Sequence, residues 1–172
     1  MSELFSIQLQ NRQQQGGDGV WLDLPTTTEQ VQAALRQIGI SSDNPQGLFI
    51  SGYFAEEEKR FAISYNMVLA SNVDELNFLA SRLETLSTGE RAELNAALQA
   101  PQSELFSIGR ITDFPENVDY YVHLPDVHGP AQLGDYYLNR SGMVNMPEEW
   151  KGGIDTAQFG RYVAQQEQGA FT

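Results

Sequence analysis

Phe5, Ile7 and Leu9 alternate with Ser6, Gln8 and Gln10 along residues 4–10. A period of two predicts a strand with one buried face. The polar run 11–19, with Gly16, Gly17 and Gly19, reads as a hairpin connection. Residues 20–24 (VWLDL) then make a second strand, which Pro25 stops. The threonines at 26–28 supply an N-cap, and Thr26 with Glu29, or Thr27 with Gln30, has the spacing of a capping box. Val31, Ala34, Leu35 and Ile38 recur at helical spacing until Gly39, a helix stop. After the loop 41–47, residues 48–54 (LFISGYF) form a third strand, completing a ββαβ order.

Glu56, Glu57 and Glu58 break this pattern, and the middle of the chain turns helical. Leu76, Leu79, Leu83 and Leu86 follow a 3-4-3 spacing behind Asn72, a candidate N-cap. Thr88 is placed to open the next helix, with Arg91 at N3 and so no capping box, and with Leu94, Ala97 and Leu98 as its apolar face. Pro101 closes it, and the pair reads as an αα-hairpin with a three-residue connection. The hexamer SELFSI occurs at 2–7 and again at 103–108 with unmatched flanks. Its first copy is expected as strand and its second as a helical turn capped by Ser103. Residues 118–124 (VDYYVHL) predict a strand, and Pro130 to Arg140 a helix presenting Leu133, Tyr136 and Tyr137. A turn at Gly142, a short helix with Pro147 at N1, and a helix from about 155 to 166 with Phe159, Tyr162 and Val163 as its buried face complete the pattern. GAFT at 169–172 looks like a last strand just starting, or one cut short. The fold class is α+β in three modules: 1–59 (ββαβ), 60–101 (helical) and 102–172 (α/β).

Charge changes the picture. Ten Lys and Arg against 23 Asp and Glu give a net charge of −13. The excess comes from scarce cations: 29 consecutive residues between Arg110 and Arg140 contain none. Such a chain repels nucleic acid and anionic membranes, and its partners are cationic surfaces, typically ones built to bind nucleic acid. The absence of cysteine excludes disulfides and thiolate chemistry. Neither a signal peptide nor an apolar run of membrane-spanning length is present, so a cytoplasmic protein is expected. His123, Asp126 and His128 do not share a register that would converge on a metal, and Gly16 to Gly19 lack the Lys and Ser/Thr of a phosphate loop. Nothing calls for catalysis, a metal or a cofactor.

The C-terminal stretch GDYYLNRSGMVNMPEEWKGGIDTAQFGRYVAQQEQGAFT is similar to the end of ArdA-type antirestriction proteins. Tyr136, Tyr137, Gly142, Pro147, Trp150, Ile154, Asp155, Phe159, Gly160, Arg161, Gly169 and Phe171 carry the resemblance. VWLDLPTTTEQVQAAL, FISGYF and the leucine-patterned centre resemble the rest of the family in order. The resemblance implies an elongated, three-domain protein that dimerises and imitates bent B-form DNA. It would occupy the DNA groove of type I restriction-modification enzymes without contacting nucleic acid itself, and so protect incoming mobile DNA. The chain departs from the family around 126–141, where only Asp126 and Asp135 are acidic. That departure keeps open a decoy of another DNA-binding defence or regulatory protein.

A decoy needs carboxylates on a rigid surface at intervals like those of phosphates. The residues expected to serve are Asp74, Glu75, Glu84, Glu90 and Glu93 on the helical module, Asp113, Glu116 and Asp119 beyond it, and Asp126, Asp135, Glu148, Glu149 and Asp155 towards the C-terminus. Tyr120, Tyr121, Tyr136 and Tyr137 are the candidates for a homodimer interface.

Overall fold

The structure, a computed structural model, describes residues 3–14, 16–100, 103–116 and 122–171. The chain divides into two compact units, one of Met1–Leu94 with Glu104–Val118 and one of Asn95–Ser103 with Asp119–Thr172. The fold is α+β.

In the first unit, strands β1 (Phe5–Asn11), β2 (Val20–Leu24) and β3 (Leu48–Phe54) form an antiparallel sheet of order β2-β1-β3. The period-two pattern predicted the inner face: Phe5, Ile7 and Leu9 are buried, together with Leu22, Leu24 and Ile50 from the flanking strands. Helix α1 (Thr28–Gln37) packs on β2, and α2 (Tyr65–Leu69) packs on β3. Thr27 caps α1 by accepting from the Gln30 N–H at 3.3 Å. The Gln30 side chain meets the Thr26 hydroxyl, so the reciprocal half of a capping box is not made. Buried Asn11 ties the end of α1 to the sheet, donating to the Ile38 carbonyl at 3.0 Å while its Oδ1 accepts from the Gln13 N–H at 3.0 Å.

Helix α3 (Val73–Glu84) lays its leucine face against α5 (Ile108–Thr112) and β2. Leu76, Leu79 and Leu83 have no exposed surface. Each such burial is worth about 1.5–3 kcal/mol. Asn77 adds a polar clamp: its Oδ1 accepts from the Thr26 N–H at 2.8 Å and its Nδ2 donates to the Thr26 carbonyl at 3.0 Å. The loop before α1 is thus tied to α3.

Helix α4 (Thr88–Gln99) corrects one expectation. Its cap is Ser87, and Glu90 three residues on completes a capping box that a start one residue later concealed. The second SELFSI copy likewise starts its helix late. Ser107, not Ser103, caps α5, accepting from the Arg110 N–H at 3.3 Å. Residues 103–106 are not helical.

In the second unit, α6 (Pro130–Asp135) runs into a π-helical turn, Tyr136–Arg140, closed by the Ser141 N–H on the Tyr136 carbonyl at 2.8 Å. Helix α8 (Thr156–Gln166) crosses α6 backbone against backbone. A Cβ on Gly160 would lie 1.7 Å from the Pro130 carbonyl oxygen, and one on Gly134 would lie 1.9 Å from that of Thr156. Only glycine lets the two helices come this close. Tyr162, expected on the buried face of α8, is exposed; Gly160 and Val163 form that face, with Phe159 partly buried. The short α7 (Glu148–Lys151) has Pro147 at its N-cap rather than N1. The strand expected at 118–124 is not formed by Val122, His123 or Leu124, and 118–121 lie outside the described residues. Residues 169–171 form no strand either, since no neighbouring strand is there for them to pair with among the described residues. No helix among the described residues is long and apolar enough to cross a membrane.

Candidate functional site

The charged surface is built by the helices and by what lies under them. Every described carboxylate is exposed except Glu84 and Glu93, which are half-buried, and none is buried. The leucine face of α3 forces this locally: with Leu76, Leu79 and Leu83 inward, Asp74 and Glu75 stand outward in the first turn. The positive end of the helix macrodipole also favours carboxylates there.

The expected site residues fall into three groups by what they touch. The first serves helix ends. The Glu75 N–H donates to Asn72 Oδ1 at 2.9 Å, and Asn72 Nδ2 donates back to the Glu75 carboxylate at 3.4 Å. Glu90 accepts from the Ser87 hydroxyl at 2.6 Å and the Ser87 N–H at 2.8 Å. Those two donors, the hydroxyl foremost, hold its carboxyl below the usual range. Asp155 caps α8, its Oδ1 accepting from the N–H groups of Ala157 at 2.9 Å and Gln158 at 3.0 Å.

The second group is neutralised by a cation. Glu116 meets Arg82 at 2.7 Å, Glu148 meets Lys151 at 2.7 Å, and Asp135 meets Arg140 at 3.7 Å while also accepting from Asn139 at 2.8 Å. Two acids not singled out from the sequence are held the same way: Glu56 by Lys59 at 3.2 Å and Glu104 by Arg110 at 3.6 Å. Only the Lys59 and Lys151 pairs lie within helical reach in sequence, so the others had no local signal.

The third group comprises Asp74, Glu93, Asp126 and Glu149, whose side chains make no hydrogen bond or ion pair with another described residue. Glu84 ends α3 and Asp113 follows α5; both are engaged within the chain. Asp119 lies outside the described residues. So do Tyr120 and Tyr121.

Tyr136 and Tyr137 are half-buried, with rings edge to face at 5.6 Å, and the Arg140 guanidinium lies 5.5 Å over the Tyr136 ring. Burial, then the neighbouring Glu167 carboxylate and Tyr136, push the Tyr137 phenol up from its ordinary value. Among the described residues, no three His, Asp or Glu side chains gather closely enough to hold a metal ion.

This arrangement offers outward-facing acids, several of them held at helix ends or beside cations. Compared with known families, residues 16–172 match the family described as antirestriction protein (ArdA). No curated protein matches the chain.

Proposed function

The chain belongs to the ArdA family of antirestriction proteins, and from that premise we propose that it is a decoy of B-form DNA for type I restriction-modification enzymes. It occupies their DNA-binding groove as a homodimer in the cytoplasm, acts by binding and not by catalysis, and protects incoming mobile DNA. The observation that carries this reading is the placement of the carboxylates: among the described residues none is buried, and many stand at helix starts where caps and packing hold the backbone. Phosphate-binding grooves present Lys, Arg and N–H donors along a duplex. Fixed outward acids answer such donors, and the low cation content keeps repulsion small.

The test is protection of unmodified phage DNA in a host with a type I system, scored beside methylation of that DNA. Rescue of phage by the chain is expected; unchanged restriction at confirmed expression rejects the reading. A second reading has a specific observation in its favour. Of the two acids between 126 and 141, Asp135 is held by Arg140. A surface thinned in this way suits another DNA-binding defence or regulatory protein, and phage protection in a host lacking type I enzymes selects that alternative.

A further inference from the structure

Basic residues are scarce, yet their placement is not random. Five of the ten sit against a carboxylate among the described residues. Two more, Arg12 and Arg91, lie over the rings of Phe49 and Phe61 at 5.2 and 5.3 Å. An exposed cation on a surface meant for a cationic groove is a local repulsion. An ion pair at contact distance is a dipole, whose field falls away faster than that of a lone charge and is further screened by salt.

We infer that the paired carboxylates, Glu116 foremost, act as masks of neighbouring cations and not as phosphate substitutes, leaving contact with the partner to unpaired acids such as Asp74 and Glu149. This rests on the decoy reading above. Glu116 is the clearest case. It holds Arg82 at 2.7 Å across 34 residues of sequence, and the partners' side chains are 70% and 34% exposed. An exposed pair of this kind contributes little to stability. Its effect is on the field: with Glu116 in place the site is neutral, and without it Arg82 faces the partner as a bare positive charge. Glu116 is a positioning residue in this account, acting through Arg82.

The two roles separate in a double-mutant cycle on the full-length protein. An assembled type I enzyme competes for the protein against duplex DNA carrying its recognition sequence. As a mask, E116Q weakens inhibition roughly fivefold, while R82Q/E116Q returns to within twofold of wild type, and thermal midpoints stay level. As a phosphate substitute, Glu116 is lost equally in both variants, so E116Q and the double variant weaken alike; that result overturns the inference. No change in E116Q overturns it too. The exposed Glu148 with Lys151 on α7 gives an independent cycle, E148Q against E148Q/K151Q, should the first pair disturb folding. Raised salt shrinks the E116Q effect if charge is its origin. Wild-type protein that fails to inhibit any type I enzyme rejects the decoy reading itself, whereas inhibition with additive cycles rejects only the mask.

Discussion

The two units solve the same problem by opposite means. The first fills its interior with large apolar side chains: Leu76, Leu79, Leu83, Leu94 and Ile111 are fully buried, and distance between elements is set by side-chain volume. The second brings α6 and α8 together at Gly134 and Gly160, where backbone meets backbone and side chains are excluded. One scaffold fails when volume is removed, the other when volume is added. Both leave their described acids outside, so the placement of surface charge does not depend on which way the interior is built.

The contrast is broken most severely by adding bulk in the second unit. G160L places a side chain into the Pro130 carbonyl, where no rotamer relieves the clash. A loss of roughly 4 kcal/mol or more is expected, with native-state hydrogen exchange showing α6 and α8 opening while β1 stays protected. The converse change, L79A, removes fully buried volume from the first unit and is expected to cost about 3 kcal/mol in denaturant unfolding. If G160A proved neutral, the claim of backbone contact would be wrong. N77A removes both arms of the clamp on Thr26 and leaves that part-buried N–H without its acceptor, for a loss of about 2 kcal/mol read by the same unfolding curves.

Smaller again is the cap of α4. S87A is expected to cost about 1 kcal/mol at neutral pH. Its pH dependence follows from the Glu90 carboxyl, which Ser87 holds below its ordinary value. A carboxyl depressed in the folded state stabilises above its unfolded value, and the contribution is lost as pH falls through the folded one. The gap in thermal midpoint between wild type and S87A therefore narrows on acidification. A gap that widens towards low pH contradicts the assignment.

Periodicity made the first unit legible: alternation at Phe5, Ile7 and Leu9 and the 3-4-3 leucines gave the sheet face and α3, because burial there is set by repeating sequence spacing. The second unit was less so. Tyr162 shares the apolar pattern of Phe159 and Val163 yet is exposed, and Gly160, with no side chain at all, carries the contact. A single backbone approach has no period. The cap of α4 lies one residue from the expected start, at Ser87, and that of α5 four residues on, at Ser107 instead of Ser103, since Ser, Thr and acid side chains crowd each start. Which acids stand outward could be read from the helical faces. Which of them are held by cations could not, as Arg82 and Glu116 meet only through the packing of α3 and α5.

A decoy and the DNA it imitates compete for one site. Binding of labelled specific duplex to an assembled type I enzyme, titrated with the protein at several salt concentrations, measures that directly. Full displacement of the duplex is predicted, with a protein concentration for half-displacement that rises with salt relative to its low-salt value. A complex holding enzyme, duplex and protein together, or binding of the protein indifferent to salt, contradicts it.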